Sequence, residues 1–445
     1  MKLYDAWMKQ LNKRWFKHPE AKLFEKLSKA DKKGIFKVDK TPLIGYPTPF
    51  PVMDWANGFN VRVPDLEHPG QFVTSYPNVG TFSGQFIMVI GNSGTGKSAY
   101  CIQSGSEIIR PFDEGLFIHI DGEHSSNPEL ILKRNQFTWE EYDEKYKILE
   151  IAYVEDLYDA IVELAKVKLS DPAYLYDTGL KDFKGEPIIA PQPTVILIDS
   201  LPTLQTKENQ LQKGIASDVD DEMVATMSGE MEGQSYNMRL AIAYNTFYKR
   251  LRPIIYKANI IVYAINHLKD KPQLAFDKTQ AKIQYLKPTE SIPGGSGPIY
   301  FSQTLLRFKY KKGFKMETDG FDGYMIHVQV VKSKTNRSGR VIELIFDHSR
   351  GFDPWKTNMN FCSEHKLISG RNPYCYFKSN PDLKFSTKVP GTKEVIDEMA
   401  KAMYPYLYEL LDDGSISQNN EEMSPETLDA LIDKAYTDEP EEAKA

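Results

Sequence analysis

The sequence predicts an α/β fold with a mostly parallel sheet, helices on both faces and an antiparallel meander at one edge. Short apolar runs typical of buried strands lie at residues 85–90, 115–121, 146–151, 194–199 and 260–265. Segments with helical spacing of apolar residues lie between them, at residues 98–110, 155–169 and 238–256. Strands that alternate with helices in this way form parallel sheets. Closely spaced runs with intervening turn residues, at 305–311, 324–333 and 340–347, predict the meander.

The first predicted strand leads into the pattern G-x-x-x-x-G-K-S, which is typical of a loop that binds nucleotide phosphates. Glycines let such a loop curl so that its N–H groups face a phosphate, and the following helix N-terminus adds partial positive charge. The lysine reaches the β- and γ-phosphates, and the serine hydroxyl binds Mg²⁺. A chance glycine-rich turn is the alternative, but the predicted strand and helix on either side favour a phosphate site. We call this segment the phosphate loop, and it consists of Gly91, Asn92, Ser93, Gly94, Thr95, Gly96, Lys97 and Ser98.

Two further predicted strands end in acidic residues, at the edge where open α/β sheets bind their ligands. Asp199 ends an apolar run, and we expect its carboxylate to position Mg²⁺ together with Ser98. Glu123 follows the run at 115–121, where a carboxylate can orient and deprotonate an attacking water molecule. The structural alternative is that Asp121 or Glu123 only caps the next segment.

The fifth predicted strand ends in two polar residues, Asn266 and His267. A side chain at this position can sense whether a γ-phosphate is present. A histidine at the edge of the core, with no ligand, is the alternative interpretation.

The segment after this strand, residues 268–292, combines lysines with aromatic residues. Cations for phosphates and aromatic faces for bases are what proteins use to bind single-stranded nucleic acid. A charged surface loop is the alternative. An earlier segment, 203–235, is acidic and would repel phosphates, although Arg239 follows it closely. The predicted DNA-binding residues are Arg239, Lys269, Lys271, Lys278, Lys282, Tyr285 and Lys287.

The charge of the chain is unevenly distributed. Residues 1–40 carry twelve Lys or Arg against five acidic residues, and residues 421–445 carry nine acidic residues against two Lys. A basic arm and an acidic tail suggest contact with polyanions or with further copies of the chain. Two solvated termini are the alternative.

The composition favours a soluble protein of a reducing cytoplasm. Hydrophobic residues make up 41% of the chain and charged residues 26%, as in water-soluble globular proteins. No apolar run approaches the roughly 20 residues that span a bilayer, and we see no signal peptide. Cys101, Cys362 and Cys375 suggest no disulfide framework. Cys362, His365 and Cys375 make only a weak case for a metal site, because a fourth ligand at zinc spacing is missing.

These features, taken in order, resemble the RecA-type recombinases, most closely the bacteriophage UvsX-like branch, over roughly residues 50–410. The phosphate loop and Asp199-Ser200 match the two Walker motifs of the family. Glu123-His124 is similar to its acid–histidine pair, and Ile265-Asn266-His267 resembles its γ-phosphate switch. Further resemblances are the glycines within 294–298, the lysine pair in 330–334 and the end of the core at 346–354.

The resemblance implies an ATP-dependent, Mg²⁺-dependent recombinase that pairs homologous DNA and exchanges strands in recombination, repair and replication. Lys97, Glu123 and His267 would be catalytic, and Lys332 and Lys334 would reach the ATP of the neighbouring subunit. The implied partners are single- and double-stranded DNA and further copies of the chain in a filament. A single-strand binding protein and a loading factor are additional candidates, and the host cytoplasm is the implied location if this is a phage protein.

Changes of composition and pattern divide the chain into parts, with a proline-rich linker predicted at residues 41–51, and the resemblance suggests the role of each part. Residues 1–51 would form a basic oligomerisation arm and a linker, and 52–352 a RecA-like P-loop ATPase core. Residues 353–412 would form a small α+β domain, and 413–445 an acidic tail. Asn127 is the implied base-contacting residue, but bacterial members have aspartate there and tyrosine in place of Leu130, so the base preference stays open.

Two other functions are compatible with the sequence. A hexameric replicative helicase is built on the same core, but it would favour an arginine finger and a large N-terminal domain. An assembly module gated by ATP is the other alternative. Glu123 argues against this module, because a passive binder has no need of a general base.

Overall fold

The computed structural model describes residues 43–64, 72–181, 186–207, 230–270, 286, 290–294, 297–318 and 321–411. The helices are α1 (Pro51–Asn57), α2 (Lys97–Ile109), α3 (Pro128–Asn135), α4 (Trp139–Lys145), α5 (Val154–Ser170), α6 (Glu230–Lys257), α7 (Gly297–Phe301), α8 (Pro354–Glu364) and α9 (Lys393–Tyr408). The strands are β1 (Gly45–Tyr46), β2 (Phe59–Pro64), β3 (Phe72–Asn78), β4 (Thr81–Phe82), β5 (Phe86–Gly91), β6 (Leu116–Asp121), β7 (Tyr146–Leu149), β8 (Leu175–Lys181), β9 (Pro187–Pro191), β10 (Thr194–Asp199), β11 (Ile260–His267), β12 (Lys269–Asp270), β13 (Glu290–Ser291), β14 (Thr304–Thr318), β15 (Phe321–Ser333), β16 (Val341–Asp347), β17 (Gly351–Phe352), β18 (Ile368–Ser369), β19 (Cys375–Phe377) and β20 (Asn380–Phe385).

In the described part of the chain, nine strands form a central sheet in the order β17-β16-β15-β14-β5-β11-β10-β6-β7. The pairs from β14 through β5, β11, β10 and β6 to β7 are parallel. The pairs β14–β15, β15–β16 and β16–β17 are antiparallel. The protein therefore has an α/β fold with a mostly parallel sheet and an antiparallel edge.

The central strands are apolar throughout because both faces of the sheet are covered. In β5, Ile87 and Val89 belong to one hydrophobic core, whereas Phe86, Met88 and Ile90 belong to the other. Successive side chains of a strand point to opposite faces, so one run of apolar residues supplies both cores. The first core includes residues of α2, α3, α8 and α9, and the second includes residues of α5 and α6.

The predicted strands and helices of the core are present with small shifts at their ends. The five predicted parallel strands correspond to β5, β6, β7, β10 and β11, and β11 runs on to His267 instead of ending at Ile265. The predicted helices correspond to α2, α5 and α6. The helix α6 begins at Glu230, eight positions before the predicted start at 238.

The predicted antiparallel meander at the sheet edge is confirmed. Its first strand, β14, lies beside β5 and parallel to it, with Leu305 opposite Met88 and Phe308 opposite Gly91. The remaining pairs of the meander are antiparallel. The meander thus continues the central sheet directly beside the strand that carries the phosphate loop.

The linker predicted at 41–51 is wrong for residues 43–51. Gly45–Tyr46 pairs with Thr81–Phe82, and Ile44, Tyr46 and Phe50 are buried in the core. The Phe50 ring stacks on Tyr100 of α2 at a centroid distance of 5.6 Å. The prolines of this segment predict a linker, whereas its apolar residues pack against the central part of the fold. Residues 1–42, which include the predicted arm, lie outside the described residues.

The predicted C-terminal unit contains α8, the three-stranded sheet β18–β20 and α9. Trp55 of α1 packs against Tyr404 and Tyr408 of α9, at centroid distances of 5.6 and 6.0 Å. The predicted acidic tail, from 413 onward, lies outside the described residues. None of the helices that the structure describes is long and apolar enough to span a membrane.

Candidate nucleotide-binding site

Strand register brings most of the predicted site residues to one edge of the sheet. His267 lies opposite Gly91 at the ends of β11 and β5, and Asp199 lies opposite Asp121 at the ends of β10 and β6. Because all four strands run in the same direction, the segments that follow them emerge together. The phosphate loop, Glu123, Asp199 and His267 therefore surround one site.

The phosphate loop is curled around its own lysine. The Lys97 ammonium donates to the carbonyl oxygen of Asn92 at 2.7 Å, and the Thr95 hydroxyl donates to the same oxygen at 2.9 Å. Gly96 has a φ of +79°, and a Cβ there would lie 3.0 Å from the Phe352 ring, so only glycine fits. Burial lowers the pKa of Lys97, and this shift is opposed by the nearby carboxylates of Asp199 and Glu123. The lysine thus lies inside the loop, close to two acids.

Asp199 and Ser98 fit the predicted magnesium site. Burial raises the pKa of the Asp199 carboxyl to about 6, although a hydrogen bond with the Ser98 hydroxyl lowers it. The neighbouring acids Glu123 and Asp121 contribute to this upward shift. This excess of negative charge, beside a hydroxyl and a phosphate loop, suits a divalent cation that is completed by phosphate oxygens and water. Among the described residues, no group of three or more acidic, histidine or cysteine side chains could hold a metal by itself.

Asp121 and Glu123 occupy different environments. The Asp121 carboxylate accepts hydrogen bonds from the backbone N–H groups of Ser126, at 2.9 Å, and Ser125, at 3.3 Å. These bonds lower the pKa of Asp121 against the opposing effect of burial. Asp121 therefore holds the turn after β6. Asp121 is thus the residue that caps the next segment, whereas the Glu123 side chain faces the site.

Glu123 is held by two side chains from neighbouring strand ends. Its Oε1 atom accepts a hydrogen bond from the Ser200 hydroxyl at 2.8 Å and lies 3.2 Å from Nε2 of His267. Partial burial raises the pKa of Glu123, but the bonds to Ser200 and His267 lower it more, and the net shift is downward. Glu123 is therefore a carboxylate at neutral pH, with 38% of its side chain exposed to solvent. This is a suitable state for a general base that acts on water.

Asn127 lies in a cleft beside this edge, at the start of α3. Its side-chain oxygen caps the helix by accepting from the N–H of Leu130 at 3.3 Å. Ser98, Asn127, Leu130 and Arg134 line the same cleft. The structure thus places the predicted base-contacting residue in the same cleft as Ser98, the predicted magnesium ligand, although the Asn127 oxygen already accepts a hydrogen bond from the helix.

The segment after β11, residues 268–292, which we call the second loop, is described only near its two ends. The strands β12 and β13 pair antiparallel directly after β11 and close the loop between them. The Asn266 amide donates to the carbonyl of Pro293 at 3.0 Å and so ties the end of β11 to the return of the loop. Arg307 of β14 forms an ion pair with Glu290 of β13. His267 is therefore adjacent to the start of the loop and, through Asn266 and Pro293, is connected to its end.

Most of the predicted DNA-binding side chains are not described. Lys269 lies in β12 and Arg239 in α6, but only their backbones are described. The other predicted DNA-binding residues, Lys271, Lys278, Lys282, Tyr285 and Lys287, lie outside the described residues.

Lys332 and Lys334 are not part of this edge. They lie at the far end of β15, where Lys332 is opposite Leu305 and the N–H of Lys334 donates to the carbonyl of Gln303. Gln303 in turn is bonded to Phe86 at the start of β5, five residues before Gly91. At about 3.3 Å per residue, roughly 15 Å of strand separates Lys334 from its own phosphate loop.

The two lysines also differ from each other. The Lys332 ammonium donates to the carbonyls of Ile299 and Tyr300 in α7, at 2.6 and 3.0 Å. Burial, together with the positive charges of Lys334 and Arg252, lowers the pKa of Lys332 to about 8. Lys334 is exposed. Lys332 thus holds a helix of its own chain, whereas Lys334 presents its charge at the surface.

Sequence reasoning missed Arg134, which lines the cleft beside Asn127. Its guanidinium lies 5.7 Å from the centroid of the Phe346 ring and donates to the carbonyl of His348 at 3.4 Å. The sequence could have indicated Arg134, because positions 127, 130 and 134 follow helical spacing and lie on one face of the helix. It also missed Tyr310 and Tyr324, which contact the phosphate loop from β14 and β15.

In comparisons with known proteins, no protein-family model and no curated protein matches this chain. The functional interpretation therefore depends on the site itself and on the resemblance of its motifs.

Proposed function

We propose that this chain is an ATP-dependent DNA recombinase that assembles on single-stranded DNA and exchanges strands, built on a RecA-like core. The observation that carries the proposal is the convergence of Lys97, Asp199, Glu123 and His267 at one edge of a parallel sheet. The resemblance of the motifs supplies the assignment to recombination.

The residues present fit an ATP site with Mg²⁺. The phosphate loop would hold the β- and γ-phosphates, with Lys97 turning from Asn92 toward the γ-phosphate. Ser98 and Asp199 would hold Mg²⁺, which neutralises charge on the phosphate oxygens when bound. Glu123 would take a proton from water that attacks the γ-phosphate, and Ser200 would keep its carboxylate oriented.

His267 offers a route from the nucleotide to DNA. It lies beside Glu123 and begins the second loop, and the adjacent Asn266 holds the other end of that loop. A γ-phosphate that draws Glu123 or His267 out of their present contact would shift the base of the loop. Binding energy for ATP would then change the affinity for DNA, as linkage between two sites requires.

The positions of the two edges support assembly. The phosphate loop lies at the carboxyl end of β5, and Lys334 lies near its amino end. A lysine so far from its own loop can act at a nucleotide only if the loop belongs to another subunit. Head-to-tail stacking of copies would bring the two edges together, and such heterologous contacts generate rings or filaments.

Replacement of the phosphate-loop lysine tests the ATPase proposal. The variant Lys97→Ala should lose ATP hydrolysis, because the ammonium that stabilises charge on the transferred phosphoryl group is gone. The loss should reach about 100-fold or more, as for other electrostatic catalytic groups. Hydrolysis is measured by phosphate release with and without single-stranded DNA. The exposed Lys401→Ala variant is the matched control, and near-normal hydrolysis by Lys97→Ala would contradict the proposal.

A further inference from the structure

Two tyrosines outside every recognised motif hold the phosphate loop from the meander. The hydroxyl of Tyr310, on β14, donates to the carbonyl oxygen of Gly94 at 2.7 Å. The hydroxyl of Tyr324, on β15, donates to the same oxygen at 2.8 Å. The two rings meet edge to face with centroids 4.8 Å apart. One carbonyl in the middle of the loop is therefore bound by two side chains that come from neighbouring strands.

These bonds fix the orientation of one peptide unit. The peptide is planar and trans, so the carbonyl of Gly94 and the N–H of Thr95 point in opposite directions. Gly94 has a φ of +78° and no side chain, and glycine alone would allow this peptide to rotate readily. With the carbonyl turned toward the tyrosines, the Thr95 N–H is turned away from them.

A second carbonyl of the loop, that of Asn92, has a different type of partner. The carbonyl of Asn92 accepts from Lys97 and from the Thr95 hydroxyl, both of which belong to the loop itself. The carbonyl of Gly94 is held only from outside the loop, among the hydrogen bonds of the described residues. The loop is thus closed from within at Asn92 and anchored to the sheet at Gly94.

The tyrosines are themselves held by packing. The Tyr324 ring stacks on Phe346 at a centroid distance of 5.0 Å and an interplanar angle of 19°. Phe346 also lies against the loop, since a Cβ on Gly96 would be 3.1 Å from its ring. A hydroxyl on a packed ring donates with less loss of side-chain entropy than one on a free side chain.

We propose that Tyr310 and Tyr324 are positioning residues that keep the Thr95 N–H directed at the bound phosphates. This inference rests on the proposed nucleotide site. The tyrosines do not touch the phosphates; they act through the peptide between Gly94 and Thr95. Each would partly replace the other, because both donate to one oxygen.

Removal of the hydroxyls alone tests the inference, since Phe keeps both rings and their packing. Three variants are compared with the wild type, namely Tyr310→Phe, Tyr324→Phe and the double variant. Tyr374→Phe is the matched control, because Tyr374 is 69% exposed and lies in the C-terminal unit. The affinity for Mg²⁺·ADP is measured by calorimetry without DNA, and kcat and KM for ATP are measured with DNA.

The single variants should bind ADP no more than about 3-fold more weakly, and the double variant roughly 10-fold or more. The weakening in the double variant should exceed the product of the two single effects. KM should rise, kcat at saturating ATP should stay within about 2-fold, and thermal unfolding should be unchanged. Such a split is expected for a residue that prepares a binding site rather than one that acts in the chemical step.

Three results would contradict either the proposed function or the positioning role of the tyrosines. A wild type that binds no nucleotide removes the proposed function. A wild type that binds ADP, with an equally tight double variant, overturns the positioning role and leaves the proposed function intact. Equal losses of binding, kcat and unfolding temperature would assign the tyrosines a purely structural role and also overturn the inference.

Discussion

At the scale of single residues, hydrogen bonding separates two acids that are close in sequence. Asp121 accepts from two backbone N–H groups and holds a turn, whereas Glu123 accepts from Ser200 and faces His267. The sequence predicted Glu123 as the general base, with the alternative that Asp121 or Glu123 is only a cap. Only the positions of Ser125 and Ser126, which depend on the turn after β6, decide between them.

We expect Glu123→Gln to separate nucleotide binding from hydrolysis. Glutamine can keep the hydrogen bond from Ser200 but cannot accept a proton from water, and loss of a general base costs about 10²- to 10⁴-fold in rate. ATP binding, measured by calorimetry, should stay within a few-fold of the wild type. Glu129→Gln, exposed in the first turn of α3, is the control. Loss of ATP binding in Glu123→Gln would instead indicate a structural role.

A second residue-scale prediction concerns Asp54, which is buried in α1. Its carboxyl group accepts hydrogen bonds from the N–H and the hydroxyl of Thr48, at 2.8 and 2.7 Å. Burial nevertheless raises its pKa from 3.8 to about 8. A raised pKa means that the folded state binds the proton more tightly than the unfolded state. The contribution to stability is therefore full below about pH 4 and is lost as the pH rises to about 8.

The variant Asp54→Asn should remove this pH dependence, because asparagine does not titrate. Between about pH 4 and 8, the free energy of unfolding of the wild type should fall relative to the variant by about 1.4 kcal/mol per pH unit. Urea unfolding at several pH values measures the difference, with exposed Asp382→Asn as the control. A difference between Asp54→Asn and wild type that does not change with pH would refute the raised pKa.

At the scale of elements, the periodicity of apolar residues was enough to find the strands that carry the site. Of the five predicted parallel strands, β5, β6, β10 and β11 are buried almost throughout and consist mainly of apolar residues, so their ends were predicted to within a few positions. The segment at 43–51 was misassigned because its prolines and short apolar residues give no period. Its burial depends on contacts with Tyr100 and Phe82, which are distant in sequence.

Strand pairing was the part that local sequence could not predict. The spacing of residues 304–318 does not predict that β14 lies beside β5. This pairing brings Tyr310 to the phosphate loop and places Lys332 and Lys334 at the opposite edge of the sheet. The sequence likewise treated the two lysines as equivalent. Their difference depends on α7, whose carbonyls bind Lys332 alone.

We expect Lys334 to act on the nucleotide of a neighbouring subunit. Neither Lys97→Ala nor Lys334→Ala protein should hydrolyse ATP well, but mixed assemblies contain interfaces in which both halves are intact. A mixture should therefore recover part of the DNA-dependent hydrolysis, measured by phosphate release. Failure to recover activity at any ratio, with mixed assembly confirmed, would contradict action between subunits.

Lys332→Ala should behave differently from Lys334→Ala. It removes the ammonium donor of two α7 carbonyls that are only partly buried, which typically costs about 0.5–1.5 kcal/mol. Lower thermal stability of Lys332→Ala, beside unchanged stability of Lys334→Ala, is the expected pattern. Equal stability of both variants would show that the bonds from Lys332 contribute little to the fold.

At the scale of the whole molecule, one sheet has the proposed nucleotide site at one end and the exposed Lys334 at the other. A chain with two such unlike edges is suited to head-to-tail stacking, in which each interface completes one site. Hydrolysis would then depend on assembly, and assembly on DNA that organises the subunits. The order of the motifs could be predicted from the sequence. The distance between the phosphate loop and Lys334 could be seen only in the folded structure.

Electron microscopy of negatively stained protein with ATP and single-stranded DNA tests this account most directly. The wild type should form regular helical filaments along the DNA that require ATP. Filaments of Lys334→Ala should be fewer or less regular, while the exposed-lysine control Lys401→Ala should match the wild type. Closed six-membered rings would favour a helicase, and the absence of any ordered assembly under these conditions would contradict the proposed recombinase.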